Sequence, residues 1–122
     1  MKPVLILDCD GVILEFIAPF SAWLARDHGV RMALTGPTIA NSMTRRADGA
    51  AVDDALFPVF LDAFFAHGQF SQTPTSGATE ALASLSADMD IIVLTNIPSR
   101  WRELRVESLQ RLGFHFPVIA NS

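Results

Sequence analysis

Short unbroken apolar runs alternate along the chain with longer stretches in which apolar residues return every three or four positions. Val4 to Leu7 is such a run, and Gly11 ends the segment that contains it. A continuous run of this kind suits a parallel strand covered on both faces, so it is expected to be a central strand. In IAPFSAWLARDHG, Ile17, Phe20, Trp23 and Leu24 have helical spacing, a proline stands near the start and a glycine at the end. This predicts a helix to about His28. Val30 to Ala51 carries Gly36, Pro37, Gly49 and the pair Arg45 and Arg46 without a clear period, and reads as loop with at most one short helix. VDDALFPVFLDAFFAHG then places Leu56, Phe57, Phe60, Leu61, Phe64 and Phe65 on one broad face. Pro58 must start or kink that helix, and Gly68 should stop it.

QTPTSG is a linker by composition, and its Ser/Thr cluster is expected to cap a helix whose buried stripe is Ala78, Ala81, Leu82 and Leu85. Ile91 to Leu94 repeats the opening design, an apolar run that ends in a polar pair, Thr95 and Asn96. The next helix starts near Ser99, turns Trp101, Leu104, Leu109 and Leu112 inward and closes at Gly113, and Phe116 to Ala120 reads as a third strand. Strands that alternate with helices predict an α/β fold with a parallel sheet. Residues 1–14 begin the core, residues 15–71 form a helical insertion, and residues 72–122 continue the core.

Composition narrows the function classes. The chain has 122 residues, half of them hydrophobic (50%) and 18% charged, with mean hydropathy +0.32. That is enough for one compact domain, or for a small core plus an insertion. The net charge is −4, and all but one of the nine basic residues are arginine, with no basic stripe to neutralise a nucleic-acid backbone. Nucleic acid is excluded as the expected partner. The single cysteine, Cys9, allows no internal disulfide, which fits a reducing cytoplasm. The first apolar run is too short for a signal-peptide core, and no stretch reaches membrane-spanning length, so the chain reads as soluble, unprocessed and without a membrane partner.

The candidate chemistry lies at strand ends. In open α/β sheets ligands bind beyond the carboxyl ends of the strands, where Asp8, Asp10, Thr95 and Asn96 all fall. Alternation along an extended segment sends Asp8 and Asp10 to one side and Cys9 to the other. Two carboxylates in one small volume need a cation or a shared proton, and both conditions serve phosphoryl transfer. One carboxylate can attack phosphorus while the other protonates the leaving oxygen. Gly11 permits a sharp turn whose amides can face an anion, and the Thr95 hydroxyl and Asn96 amide add phosphate donors. Cys9 reads as a small buried hydrophobe. His28, His67 and His115 are too scattered for a metal site, and Arg45 and Arg46 read as a solvated pair. Arg100 is close enough to the strand end to be weighed as a phosphate contact, and Glu103 and Glu107 are read as solvated.

DCDGV after an apolar strand, a helical insertion behind it, and LTN after a second apolar strand resemble the haloacid dehalogenase-like superfamily. The resemblance implies an incomplete Rossmann-like parallel core with a small α-helical cap inserted after the first strand. It implies a magnesium-dependent phosphatase that hydrolyses a small phosphorylated metabolite, with Asp8 as nucleophile and metal ligand. Asp10 would be general acid and base and a further metal ligand, and Thr95, Asn96 and Gly11 would hold the phosphoryl group. An aspartate at position 10 resembles the phosphatase branch and disfavours carbon–halogen cleavage. The family's third motif, a lysine, and its fourth, an acidic metal site, have no counterpart before Ser122. The sequence therefore reads as truncated, and the alternative is a catalytically weak or inactive module with an anion-binding or interaction role. Because the family's first strand is flanked on both sides, the resemblance also implies self-association through a free edge of this strand.

Overall fold

A computed structural model of the chain describes residues 2–34 and 40–120. The strand β1 (Val4–Asp8) is followed by α1 (Ile17–Trp23), β2 (Val30–Met32), β3 (Met43–Arg45) and α2 (Phe57–His67). Then come α3 (Ala78–Ser86), β4 (Asp90–Thr95), α4 (Arg102–Arg111) and β5 (Val118–Ala120). The fold is mixed α/β. Three parallel strands lie in the order β1, β4, β5, and β2 and β3 form a separate antiparallel pair.

The Asp90 amide donates to the Pro3 carbonyl at 2.9 Å, which sets Leu5 opposite Ile91 and Leu7 opposite Val93. From one face of this sheet Leu7, Ile91, Val93 and Val118 pack with Leu82 and Leu85 of α3 and Val106 and Leu109 of α4. Both crossovers step the same way across the sheet, so connections of one hand put both helices on one face. The other face stays open. Val4 is 58% exposed, Ile6 59%, Leu94 36% and Ile119 50%. This corrects the expectation of a central strand covered on both faces. Among the described residues β1 is an edge strand with one bare side.

Residues 15–71 build a second, aromatic core. Phe20, Trp23, Leu24, Phe64 and Phe65 are buried in it, with Phe16, Phe57 and Phe60 packed around them. The Phe20 and Phe64 rings meet edge to face at 5.3 Å, a favoured aromatic geometry. Ile97 and Trp101, from beyond β4, join the same cluster, so the insertion is closed by the chain that follows it. Pro58 starts α2 and Gly68 ends it, as the sequence predicts. A Cβ on Gly68 would lie 2.5 Å from a Phe64 ring carbon and 2.9 Å from Trp23, so glycine is needed there for close approach.

Three local expectations are corrected. The stretch read as loop contains the β2–β3 hairpin, with Val30 opposite Arg45 and Met32 opposite Met43. Three-residue strands are too short to show a period of two. Gly36 and Pro37 lie outside the described residues. No Ser or Thr side chain caps α3; Gly77, at φ +80, precedes it, and the Thr75 hydroxyl donates instead to the Val12 carbonyl at 2.6 Å. Ala81 is exposed, and on α4 the buried positions are Arg105, Ser108 and Leu109, whereas Leu104 and Leu112 are half-buried. No helix among the described residues is long and apolar enough to cross a membrane.

Candidate functional site

β1 ends at Asp8, whose Oδ1 accepts a hydrogen bond from the Cys9 amide at 2.8 Å. The side chain is exposed on the bare side of the sheet. With Ile6, Leu94 and Asn96 it lines an open cleft of about 310 Å³. Asn96 arrives there because Leu94 is directly across from Asp8 in the parallel register, and the chain leaves β4 after Thr95.

Beyond Asp8 the chain turns at once. The Cys9 carbonyl accepts from the amides of Val12, Ile13 and Leu14 at 3.1, 2.8 and 3.0 Å. The Gly11 amide donates to the Leu14 carbonyl at 2.7 Å, with Gly11 at φ +79, a conformation that glycine adopts without a steric penalty. These amides are therefore engaged within the turn rather than presented to an anion.

Asp10 is held from two directions. Gln72 Nε2 donates to its Oδ1 at 2.8 Å and also to the Glu15 carbonyl at 3.0 Å. The Arg105 guanidinium donates through Nη2 to Oδ2 at 3.1 Å, and its Nη1 stands 3.1 Å from Oδ1 and 3.2 Å from Cys9 Sγ. Arg105 is 0% exposed. Strict alternation would have sent Cys9 away from Asp10, but one guanidinium touches both, because the backbone is no longer extended after Asp8. Cys9 is fully buried, and burial pushes its thiol up to about 12, although the nearby Arg105 charge opposes the rise.

Thr95 belongs to the covered face. It is fully buried, and its hydroxyl has no partner among the described residues; Gln72 Oε1 and Arg105 Nε share that condition. The predicted site residues thus divide. Asp8 and Asn96 open onto one cleft, Asp10 is anchored by interior side chains, and Thr95 lies beneath the sheet. Arg100 is paired with Asp62 of α2, which also accepts from Trp101 Nε1 at 2.8 Å, so it ties the insertion to the segment after β4. A second cleft of about 310 Å³ lies along this junction, lined by Asp62, Phe65, Asn96 and Arg100 among others.

Gln72 and Arg105 were not singled out from the sequence as functional. Arg105 had a signal: it lies four residues from both Trp101 and Leu109, on the inward stripe of α4, where an arginine must find a buried partner. Gln72 had none. Arg45 pairs with Asp48, Arg46 donates to the Ala25 carbonyl, and Glu103 and Glu107 are exposed, all in keeping with solvated roles. His28 packs against Trp23 and Phe60. Among the described residues no cluster of three or more His, Cys, Asp or Glu could hold a metal ion. Comparison of the chain with protein-family models, with curated proteins and with solved structures gave no match, so chemistry is assigned to this site from its own residues and geometry.

Proposed function

We propose that the chain is a haloacid dehalogenase-like phosphohydrolase acting on a small phosphomonoester, with a Rossmann-like core and residues 15–71 as its cap. The observation that carries this reading is the meeting of Asp8 and Asn96, at the carboxyl ends of adjacent parallel strands, in one open cleft, with Asp10 two residues beyond Asp8 and anchored from the interior. In this mechanism an Asp8 carboxylate oxygen attacks phosphorus and the ester bond to the leaving oxygen breaks. Water protonates that oxygen, because Asp10, whose oxygens accept from Gln72 and Arg105, stands as a carboxylate. Asp10 then takes a proton from a second water that attacks the aspartyl-phosphate, which releases inorganic phosphate and restores the Asp8 carboxylate; the Asp10 proton returns to the hydroxide left by the first step. Gln72 and Arg105 position Asp10 for this transfer, and the Asn96 amide donates to a phosphate oxygen.

Magnesium would neutralise charge on the phosphate when bound. The donor set suits it only as a weakly held ion: the Asp10 carboxylate already faces a guanidinium, which leaves the Asp8 carboxylate and the Asp10 main-chain carbonyl as protein ligands. Two features favour the alternative of a weak or inactive anion-binding module, namely the buried Thr95 hydroxyl and the engaged turn amides. The two readings separate on turnover of an aryl phosphate with magnesium. Hydrolysis that Asp8→Asn abolishes supports the phosphohydrolase, whereas phosphate binding without turnover at any magnesium concentration supports the module.

A further inference from the structure

The free edge of β1 has a definite chemical pattern. Because the Pro3 carbonyl accepts from Asp90, the odd residues of this segment turn their backbone groups toward β4. The N–H and C=O groups of Val4, Ile6 and Asp8 then point outward, where no strand among the described residues pairs with them. Pro3, which has no N–H, falls on the inward set and leaves the outward row uninterrupted. The side chains of Val4, Ile6 and Asp8 stand on the bare face of the sheet, and Lys2, two residues before β1, reaches the Ser86 carbonyl at the end of α3 and has to swing from there to join them. Read along the edge the outward-bonding residues are Lys2, Val4, Ile6 and Asp8, a cation at one end, an anion at the other and two exposed aliphatics between.

This sequence is its own complement when reversed. We infer that the edge is an interface for a second copy of this chain, in which the two β1 strands pair antiparallel about a two-fold axis centred on Leu5. Lys2 then faces Asp8 of the second copy, and Val4 faces its Ile6. All four positions are hydrogen-bonding ones in the pair, and the side chains of each pair share one face. The contact is isologous, so each cross-strand pair occurs twice and the sheet becomes six-stranded. Charge decides the orientation: a parallel arrangement in register would set Lys2 beside Lys2 and Asp8 beside Asp8. Lys2 has little to give up, since its ammonium makes one exposed 3.4 Å contact to the Ser86 carbonyl. Asp8 forms no ion pair among the described residues, so the second copy's Lys2 brings a cation to the carboxylate of the cleft. The inference stands whether or not the cleft hydrolyses phosphate.

The interface is small, below about 1,200 Å² in total, so a weak dimer is expected, with dissociation constant on the order of 100 μM. Sedimentation of the full chain over a concentration series tests it. Lys2→Glu alone and Asp8→Lys alone should each weaken association about tenfold, by setting like charges opposite, and the double variant should restore it. Both positions are exposed, and circular dichroism checks that each variant is folded. Amide exchange gives an independent reading. The Val4, Ile6 and Asp8 amides should become protected as concentration rises, while those of Leu5 and Leu7 are protected throughout. A chain that stays monomeric at millimolar concentration overturns the inference. So does a dimer indifferent to both charge reversals, or one that leaves the Val4 and Ile6 amides unprotected.

Discussion

The two faces of the three-stranded sheet are built from the same kinds of side chain and have opposite surroundings. On β4, Ile91 and Val93 are buried beneath α3 and α4, whereas one residue along, Leu94 stands in solvent; on β1, Ile6 lies at 59% exposure on that same open side. The candidate site straddles the division. Asp8 and Asn96 belong to the open side, while Asp10, Cys9, Gln72 and Arg105 form a polar cluster that reaches the covered interior. A strand therefore delivers its last carboxylate to solvent, and the turn that follows delivers the next one to a buried cation.

The largest expected effect tests the covered side. Arg105→Ala should destabilise the chain by about 3–5 kcal/mol, since it strips the cation from Asp10 and leaves the interior cluster without its donor. Urea unfolding measures this, and a loss below 1 kcal/mol would show that Asp10 is adequately solvated without it. Next, one chemical change on opposite faces should give unequal results. Ile91→Ala should cost about 2–5 kcal/mol through transfer and cavity terms, whereas Ile6→Ala should cost well under half of that. Equal losses would mean that the open face is covered in solution.

Cys9 supplies a pH test of the same interior. Its folded value, about 12, lies above the ordinary 9.0, so the native state holds the proton more tightly than the unfolded chain. The contribution is fully present below pH 9, and stability should fall as pH rises from about 9 toward 12. Cys9→Ala should flatten that decline. The smallest effect belongs to the open face: Ile6→Thr should change monomer stability by no more than about 0.5 kcal/mol while it reduces the exposed apolar surface. Thermal unfolding at low concentration, where association does not contribute, checks it.

Much of the frame was legible in residues that act locally. Apolar runs ending in Asp8 and in Thr95 marked two of the parallel strands, and Pro58, Gly68 and Gly113 marked helix ends, because chain breakers act through their own dihedral angles. The paired aspartates and the LTN segment were equally visible as polar residues at or just beyond strand ends. The hairpin of β2 and β3 was not, since its strands are three residues long and earn their pairing from each other. Nor was the anchoring of Asp10, because its partners lie 62 and 95 residues further along the chain.

The sequence by itself determined which residues could be strand, which could be helix, and that carboxylates would stand at the end of the first strand. Tertiary structure decided which sides of those elements meet protein. VLILD reads the same whether one face or two are covered, and the choice depends on where the crossover helices settle. Their common hand and direction placed both on one side, which buried Ile91, Val93 and Thr95 and left Val4, Ile6 and Asp8 facing outward. The same packing turned Arg105 of α4 inward to meet Asp10, a contact written into no local pattern because it exists only when the helix lies on the sheet.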